Sequence, residues 1–509
     1  MKPAITAGAP VLGLHEDDNI LVALADIPAE TEVAGGVRAA EKIPSGHKVA
    51  RRRIAQGETV LKYGQIIGVA TRDIAPGDHV HVHNLGMGAH RQDYAFGTAA
   101  RTLSPFGNTA TFRGFHRPSG RVGTRNYLGI LTSVNCSGSV ARFIAQEAER
   151  AGLLDAFPNV DGIVPVVHGT GCGMSGKDEG YETLFRTLAG YGHNPNFGAI
   201  LMVGLGCEVM QIPDLIDRKV LRDSARFRYM TIQQTGGTRA TINKGLSVLR
   251  DLAAEADKAV REVAGASHLV LGMQCGGSDG YSGITANPAL GVASDLLVRH
   301  GGTSILSETS EIYGAEHLLT RRAINEPTGR KLIDLIEWWG DYTARNYGQM
   351  DNNPSPGNKR GGLTTILEKS LGAVAKGGTA PLAGVYKYAE PIDAPGFVFM
   401  DSPGYDPCSV TGQTASGANL IAFTTGRGSV SGYQPVPCIK IASNSDLWRR
   451  MEPDMDVNCG DILDGVSLED KGREIFDLML RVASGEQTKS EAQGFGAVEF
   501  VPWQIGAVM

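Results

Sequence analysis

Four of the seven cysteines follow apolar runs that have the length and composition of buried strands, and glycine flanks three of them. They are Cys136, Cys172, Cys207 and Cys275. Parallel strands present their carboxyl ends at the sheet edge where ligands bind, so we expect these thiols along one rim. Thiolates there can bind iron, as a single ion or as a cluster. Each cysteine could instead be a small buried apolar side chain, but the shared context favours a metal site.

A second set of candidate metal and acid–base residues lies near the amino end. His79, His81 and His83 alternate with valine, so on a strand their imidazoles would share one face. We expect His81 and His83 to serve as metal ligands, with a half-buried strand that happens to carry histidine as the alternative. Nearby turns add the candidate catalytic residues His47, Lys48 and Lys62. For these the alternative is a solvated turn without a chemical role.

Three polar loops offer groups that suit an oxyanion. Their candidate substrate-binding residues are Asp279, Ser355, Asn358, Lys359, Thr425 and Arg427. Prolines on both sides of Ser355 argue against a helix or a central strand there. Arg427 lies between glycines just past an apolar run, and arginine can hold a carboxylate through two parallel hydrogen bonds. The loops therefore predict a polyhydroxylated carboxylate as ligand, unless they are ordinary connections.

Composition limits the classes of protein that can carry these groups. The chain has 509 residues, of which 42% are hydrophobic and 20% charged, and 48 basic against 54 acidic residues leave a net charge of −6. The charges are interspersed without a long basic run, so neither a nucleic acid nor a membrane surface is an expected partner. No leader-like or membrane-length apolar run occurs, and the cysteines are few and scattered. We therefore expect a cytoplasmic protein with reduced thiols, assembled as a homodimer.

The pattern of apolar runs and turns changes along the chain and predicts an α/β protein in three parts. Residues 1–96 have short apolar runs separated by turns, which is typical of a small all-β module. Residues 97–118 read as a linker. From there strand-like runs alternate with helical patterns, which favours two α/β portions with largely parallel strands, over 119–265 and 266–509.

The elements expected in those portions are specific enough to be compared with a structure. The predicted strands are 127–134, 162–167, 198–203, 269–273, 303–306, 396–400 and 420–423, and the predicted helices are 139–151, 181–190, 241–264, 330–342 and 471–483. Their alternation along the chain favours α/β layers with parallel strands.

Several stretches resemble the altronate and galactarate dehydratase family. They are Gly46-His47-Lys48-Val-Ala, Lys62-Tyr63-Gly64, Gly204-Leu-Gly-Cys207-Glu208, Gln274-Cys275-Gly-Gly-Ser-Asp279, Asn353-Pro-Ser-Pro-Gly-Asn-Lys359-Arg-Gly-Gly and Thr424-Thr-Gly-Arg427-Gly. The resemblance runs from Asp17 to about Gly494. It implies a β-clip module of the SAF type followed by two α/β portions, and an iron-dependent lyase sensitive to its redox state. The segment His81-Val-His83-Asn84 is similar to the altronate branch.

The resemblance implies a hydro-lyase that converts a sugar acid, such as altronate or galactarate, into a 2-keto-3-deoxy acid. A general base would remove the C2 proton while a metal stabilises the charge that develops. Fe²⁺ is the expected metal, either mononuclear or in an iron–sulfur cluster, with Mn²⁺ or Mg²⁺ as substitutes. Two alternatives stay open: a C–S lyase acting on a sulfonated hydroxy acid such as sulfolactate, and a sugar-acid-binding protein without catalysis.

Overall fold

The regular structure described in the amino-terminal part consists of short antiparallel strands. A computed structural model of the chain describes residues 4–5, 10–88, 92–218, 221–222, 224–506 and 508. The strands are β1 (Ala4–Ile5), β2 (Val11–Gly13), β3 (Ile20–Ala23), β4 (Glu32–Ala34), β5 (Val37–Arg38), β6 (Lys48–Ala50), β7 (Thr59–Lys62), β8 (Gln65–Ala70), β9 (His79–Val80) and β10 (Leu85–Gly86). They form the sheets β1-β2-β3-β6-β9, β10-β8-β7 and β4-β5. The all-β character expected of this module is confirmed.

The histidine run does not lie on one strand. β9 ends at Val80, and the chain turns from His81 to Asn84. The Asn84 side chain closes that turn, because its Oδ1 accepts from the His81 N–H at 2.9 Å and its Nδ2 donates to the His79 carbonyl at 2.9 Å. The expected strand face of three imidazoles was therefore wrong. An asparagine side chain that replaces ladder hydrogen bonds ends the strand early.

The middle part contains a parallel sheet with helices on both faces. The strands of this part of the chain are β11 (Thr111–His116), β12 (Val122–Gly123), β13 (Tyr127–Thr132), β14 (Gly162–Val166), β15 (Phe197–Gly204), β16 (Phe227–Thr231) and β17 (Glu262–Gly265). Its helices are α1 (Gly138–Arg150), α2 (Glu179–His193), α3 (Ile212–Asp217), α4 (Ile232–Thr235) and α5 (Thr238–Ala256). Four strands pair in the order β14-β13-β15-β16, all parallel.

Two segments of the middle part differ from expectation for the same reason. The segment expected to be a linker, 97–118, contains β11, and the helix predicted to reach Ala264 ends at Ala256. β11 and β17 pair antiparallel along four residues each. Neither strand has a partner nearby in sequence, so a local pattern could not reveal that they complete each other.

The carboxyl-terminal part is a seven-stranded parallel sheet in the order β20-β21-β19-β18-β22-β23-β24. Its strands are β18 (Val270–Cys275), β19 (Thr303–Leu306), β20 (Leu382–Tyr386), β21 (Gly396–Met400), β22 (Leu420–Thr425), β23 (Cys438–Ala442) and β24 (Val457–Asn458). Its helices are α6 (Ala286–Arg299), α7 (Glu316–Thr320), α8 (Glu326–Arg345), α9 (Pro356–Arg360), α10 (Ile366–Val374), α11 (Asp406–Ser416), α12 (Ser445–Arg450), α13 (Leu468–Ala483) and α14 (Lys489–Ala492). The predicted α/β class is confirmed. Within the described ranges, no helix is both long and apolar enough to cross a membrane.

The proline-rich loop around Ser355 forms a short helix, contrary to expectation. Ser355 caps α9, its side chain accepting from the Asn358 N–H, and the Asn358 side chain accepts from the Ser355 N–H in return. Pro356 occupies the first helical position, where a missing N–H costs nothing. Proline is disfavoured inside a helix but is compatible with the first position of one.

The four strand-end cysteines lie on two sheets rather than one. Cys136, Cys172 and Cys207 follow β13, β14 and β15 of the four-stranded sheet, whereas Cys275 ends β18 of the seven-stranded sheet. The single rim expected for all four was therefore wrong. Strand–helix alternation gives the strand ends a common direction, but the pairing between strands decides which sheet each one joins.

Candidate functional site

A buried carboxylate lies at the contact between the β-module and the carboxyl-terminal part. Glu368 on α10 accepts from Lys48 Nζ at 2.8 Å and from Lys62 Nζ at 2.8 Å, and all three side chains are excluded from solvent. Lys48 Nζ also donates to the Gly362 carbonyl at 2.6 Å. Two of the three candidate acid–base residues are thus committed to holding the module in place.

One carboxylate cannot neutralise two ammonium groups equally. Burial would raise the pKa of Glu368, yet Lys48 and Lys62 hold it well below its usual range. Burial favours the neutral amine of Lys62, but the Glu368 charge outweighs it and raises the Lys62 pKa. For Lys48 burial dominates, Lys62 adds repulsion, and its pKa falls to about 8. Lys48 can therefore release a proton near neutral pH, although its amine faces Glu368 within the docking interface.

Three imidazoles meet where the module touches α9. His47 Nδ1 lies 3.0 Å from His79 Nε2, and His47 Nε2 lies 3.2 Å from the Arg360 carbonyl oxygen. The His81 ring stacks on His79, with centroids 5.3 Å apart. One ring nitrogen from each of the three lies within 4.8 Å of the others. His83 lies beside them and forms a similar group with His79 and the exposed Glu41.

These imidazoles are in the state that metal binding requires. Burial lowers the pKa of His79 to about 4, helped by the positive charge of neighbouring rings, and lowers that of His81 to about 3. Both rings are therefore neutral at physiological pH, and a neutral imidazole is the metal ligand. His81 Nδ1 is buried and has no hydrogen-bond partner among the described residues. The donor set fits a divalent transition metal.

A cavity of about 430 Å³ opens at the carboxyl edge of the seven-stranded sheet. Its wall includes Cys275, Glu311, Asn353, Lys369 and Asp406. Lys369 Nζ donates to Glu311 Oε1 at 2.7 Å and to Asn353 Oδ1 at 3.0 Å, and Asn353 Nδ2 donates to Glu311 Oε1 at 2.6 Å. The position and size of this cavity are those of a small-molecule site in an open parallel sheet.

The carboxyl groups of Glu311 and Asp406 in the cavity have different electrostatic environments. Burial and the nearby Glu311 charge raise the pKa of Asp406 to about 7. Glu311 faces the Lys369 ammonium, and Glu311 in turn raises the pKa of Lys369 although burial opposes this. Glu311 is therefore held in an ion pair with Lys369, while Asp406 holds a proton up to neutral pH. Such a separated pair is how one site supplies both a base and an acid.

Glu308 and Lys376 are buried next to Cys275, the cysteine of the cavity wall, and contact its thiol. Glu308 Oε2 lies 3.1 Å from Lys376 Nζ and 3.7 Å from Cys275 Sγ. Burial raises the pKa of Glu308 to about 8 and that of Cys275 to about 12, so both are protonated at neutral pH. Glu308 also adopts φ = 68°, a left-handed conformation that is costly for a residue with a side chain. Strain of this kind collects at sites where a side chain must be held in place.

The candidate anion-binding residues divide into those that build the site and those that remain available. Asp279 accepts from Ser282, Ser443 and Asn444 and is buried, so it organises the loop. Ser355 and Asn358 cap α9 at the cavity wall, and Thr425 Oγ1 accepts from the Gly428 N–H. Lys359 is half-buried and Arg427 exposed. The Arg427 N–H donates to the carbonyl of Gly277, a residue of the cavity wall, so the backbone of this arginine lies next to that wall.

The sequence analysis missed several charged residues of the site. They are Glu308, Glu311, Glu368, Lys369, Lys376 and Asp406. One signal was available for two of them. Glu368 and Lys369 interrupt the otherwise apolar and small-residue run of α10, every residue of which is buried. A charged pair inside a buried helix needs partners from elsewhere, and that requirement points to a polar centre.

A β-clip module joined to two parallel α/β sheets, with a charged cavity at a strand-end edge, defines the class of protein. Family matches cover most of the chain. Residues 9–88 match the altronate/galactarate dehydratase SAF domain, 114–257 the second domain of D-galactarate dehydratase/altronate hydrolase, and 266–508 the carboxyl-terminal domain of D-galactarate/altronate dehydratase. The chain belongs to the altronate/galactarate dehydratase family, whose named members are hydro-lyases.

Individual relatives agree over almost the full length. The chain is 37% identical to an altronate dehydratase of Bacillus subtilis, covering 95% of this chain and 96% of the relative. It is 37% identical to a galactarate dehydratase of Escherichia coli, covering 95% and 94%. A third relative is the (2R)-sulfolactate sulfo-lyase subunit beta of Chromohalobacter salexigens, 32% identical over 75% of this chain and 95% of that subunit.

Proposed function

We propose that this chain dehydrates a hydroxylated sugar acid of the aldonate or aldarate type to a 2-keto-3-deoxy acid. The observation that carries the proposal is the pair Glu311 and Asp406, two carboxyl groups on one cavity wall, of which Glu311 is ion-paired with Lys369 and Asp406 has a pKa raised to about 7. Removal of a proton beside a carboxylate and departure of a hydroxyl group require this combination of base and acid. Names of relatives that dehydrate altronate and galactarate support the substrate class.

The charge of the cavity suits an anionic substrate. Below about pH 7 Asp406 and Glu308 are protonated, which leaves the ammonium groups of Lys369 and Lys376 facing the single charge of Glu311. The surplus positive charge would attract the substrate carboxylate. Asn353 and Ser355 on the wall add hydrogen-bonding groups for hydroxyls. Arg427, whose backbone lies next to the cavity wall, would hold the far end of the molecule.

In the proposed reaction the Glu311 carboxylate takes the proton from C2, and the electron pair of the broken C–H bond forms the C2–C3 double bond. The C3–O bond breaks, and Asp406, on the same cavity wall as Glu311, donates its proton to the departing hydroxyl so that water leaves. The resulting enol tautomerises to the 2-keto acid without a redox cofactor. Glu308 and Lys376 would keep Cys275 and the adjoining wall in position. His47, Lys48 and Lys62 would have a supporting role, since they join the β-module to the carboxyl-terminal part.

A bound divalent metal, with Fe²⁺ first and Mn²⁺ or Mg²⁺ as substitutes, is part of the proposal. His47, His79 and His81 would hold the ion, because their rings are neutral and one nitrogen is unpaired among the described residues. Cys275, Glu308 and Glu311 form a second group within 4.8 Å. They suit a metal less, since the thiol is protonated and each carboxylate already faces a lysine. When bound, an ion at the imidazoles would fasten the module to α9 and offer remaining positions to oxygen ligands.

A C–S lyase is the second candidate, because a sulfo-lyase subunit is among the relatives. Sulfite is a better leaving group than hydroxide and needs less help from an acid. The protonated Asp406 therefore favours water as the leaving group. A binding protein without catalysis is disfavoured by membership of a hydro-lyase family.

The proposal predicts which compounds the enzyme turns over. Hexonates, pentonates, aldarates and sulfolactate would be screened under anaerobic conditions with Fe²⁺, with separate detection of 2-keto acid and sulfite. We expect 2-keto acid from at least one sugar acid, loss of that activity after chelation, and recovery with Fe²⁺. Sulfite release alone would establish the second candidate, turnover of none of these acids would contradict both, and full activity after complete chelation would contradict the metal requirement.

A further prediction concerns Arg427. Replacing it with lysine keeps the charge but removes the planar pair of donors, and such a change is not conservative where a carboxylate is gripped. Loss of one charge-assisted hydrogen bond, about 1.5–3 kcal/mol, corresponds to roughly a tenfold to hundredfold decrease in kcat/KM. Kinetics of Arg427→Lys beside its melting curve measure this. The exposed Arg449, changed to lysine, is the control, and an unchanged kcat/KM in Arg427→Lys would remove Arg427 from the site.

A further inference from the structure

A second cavity, of about 520 Å³, opens on the middle part of the chain. Its wall includes Phe197 and Phe227, the first residues of β15 and β16, and His193, the last residue of α2. Because β15 and β16 are parallel, these residues mark the amino edge of the four-stranded sheet. The cavity that contains Asp406 lies instead at the carboxyl edge of the seven-stranded sheet. The second cavity is therefore a separate feature, and its volume is that of a small-molecule site.

The side chains around the second cavity carry charge of one sign. Arg117, Arg222 and Arg226 lie in its wall together with His193. Among the residues that the structure describes, no aspartate or glutamate belongs to this wall. The chain as a whole has a net charge of −6, so a purely basic wall does not follow from its composition. A concave basic surface concentrates anions from solution.

Arg117 is only 8% exposed, yet its guanidinium has neutral partners. Its Nε donates to the Pro195 carbonyl at 2.8 Å, and its Nη2 donates to Asn126 Oδ1 at 2.9 Å and to the Arg125 carbonyl at 3.1 Å. Such acceptors fix the position of the guanidinium without neutralising it. A buried charge is costly unless an opposite charge compensates it, and a bound anion would provide that compensation.

The nearest carboxylate to influence Arg117 already has other partners. Burial lowers the pKa of Arg117 to about 9, repulsion from Arg226 lowers it further, and Asp161 opposes both. Asp161 accepts from the Asn126 N–H at 2.6 Å and lies 3.9 Å from an Arg261 nitrogen. With a pKa of about 9, Arg117 is charged at neutral pH. The cavity therefore contains a fixed positive charge that the described carboxylates do not neutralise.

Arg226 repeats this arrangement on the neighbouring strand. Its Nε donates to the Gly198 carbonyl at 2.6 Å. Burial lowers its pKa, and the opposing charge of Glu255 comes from outside the wall, from a residue that is ion-paired with Lys258. In Arg226 as in Arg117, Nη1 makes no hydrogen bond within the described residues. Two guanidinium groups are thus fixed by the backbone, and each has a terminal nitrogen left for a ligand, which reduces the ordering cost of binding.

The size and the remaining wall of the cavity indicate an organic ligand rather than a bare ion. Pro118 and Leu221 add apolar surface, and Ser119 adds a hydroxyl group. A phosphate monoester and a dicarboxylate share the chemistry that this wall would bind, which is two negative charges on several oxygens attached to a small carbon body. Arginine binds both kinds of oxyanion through paired hydrogen bonds.

The two cavities are too far apart for one small ligand to occupy both. Asn194, in the wall of the second cavity, donates from Nδ2 to the Thr414 carbonyl at 3.0 Å. Thr414 lies near the end of α11, and Asp406 of the first cavity is the first residue of that helix. The helix rises about 12 Å between these two residues, at about 1.5 Å per residue. A ligand in the second cavity would therefore not compete directly with a substrate in the first.

We propose that the second cavity binds a small organic dianion, gripped by the guanidinium groups of Arg117 and Arg226, with the exposed Arg222 adding positive charge. The ligand class is a phosphate monoester or a dicarboxylate. Binding involves no covalent step and does not rest on the proposed dehydration.

Calorimetric titration of the full-length protein at low salt tests this. The probes are glycerol 3-phosphate, succinate, inorganic phosphate and, as the neutral counterpart of the ester, glycerol. We expect the ester or the dicarboxylate to bind and to raise the melting temperature, because a ligand of the folded state stabilises it. Glycerol should not bind, and inorganic phosphate should bind at least about tenfold more weakly than the better organic dianion, because it makes no contact with the apolar wall.

Two variants assign the binding to this cavity. Arg226→Gln keeps a donor for the Gly198 carbonyl but loses the charge, and the loss of a charge-assisted hydrogen bond should weaken binding roughly tenfold to hundredfold. Arg222→Gln, at an exposed position, should fold normally and weaken binding by a smaller factor. Arg239→Gln, which removes an exposed arginine of α5 in the same part of the chain, is the matched control and should bind like the parent. Melting curves without ligand verify that each variant is folded.

Three results would overturn the proposal. The parent could bind neither organic dianion, both cavity variants could bind as tightly as the parent, or inorganic phosphate could bind as tightly as the organic dianions, which would refute the organic ligand. A protein that binds the dianion but turns over no sugar acid would leave this inference intact and refute the proposed function. Dehydration by a protein that binds neither dianion would do the reverse.

Discussion

Asp406→Asn is expected to lower kcat/KM by about 10²–10⁴-fold, the range that a positioned general acid or base contributes. Asparagine keeps the shape of the side chain and its place at the start of α11 but has no proton to give. The cavity wall and its charge pairs would remain, because Asp406 carries its proton below about pH 7 and asparagine is then equally neutral. Steady-state kinetics on the preferred sugar acid measure the loss.

The pH profile distinguishes catalysis from a structural effect at the same residue. As a proton donor Asp406 works below its pKa, so parent activity should decline as pH rises through about 7. This alkaline decline should disappear in Asp406→Asn. Asp446→Asn, an exposed acid in the first turn of α12, is the matched control and should change neither rate nor profile. An alkaline decline that persists in Asp406→Asn would assign the proton to another group.

Glu368→Gln is expected to reduce the free energy of unfolding by about 3–5 kcal/mol, the cost of leaving a buried charge without its partner. Two buried ammonium groups, those of Lys48 and Lys62, share this carboxylate. Glutamine can accept a hydrogen bond but cannot neutralise either lysine. Thermal and denaturant unfolding of the full chain measure the loss, and the β-module is expected to separate first because the stranded charges lie at its contact with α10.

Two comparisons make the Glu368 result specific. Glu326→Gln, which breaks an exposed pair with Arg330, should cost less than about 1 kcal/mol. Replacing Lys48, Lys62 and Glu368 together by apolar residues of similar size should recover much of the stability, since no charge is then stranded. The folded-state pKa of Glu368 is depressed, so its contribution is complete above the unfolded value of about 4.3 and is lost as pH falls. If Glu368→Gln were as stable as the parent, the predicted loss would be wrong, and water would have to reach Lys48 and Lys62.

Local patterns in the sequence were sufficient for most of the fold. Runs such as 303–306 and 396–400 are long and apolar enough for buried strands, and they match β19 and β21 residue for residue. Strand–helix alternation gave the parallel sheets, because crossover connections leave few other arrangements. Where prediction failed, a side chain or a distant strand had replaced a local hydrogen bond, as Asn84 did after β9 and β11 did beside β17.

The candidate site required the tertiary structure to a greater degree. Residue type and spacing alone placed cysteines at strand ends and polar groups in the turns after them, since both are properties of the local chain. The sequence could not show that Cys275 leaves the other three thiols for another sheet, because strand pairing depends on contacts across the whole molecule. Nor could it single out Asp406 as a proton donor. An aspartate becomes one only when burial and a neighbouring charge such as that of Glu311 raise its pKa, and both come from residues far away in the chain.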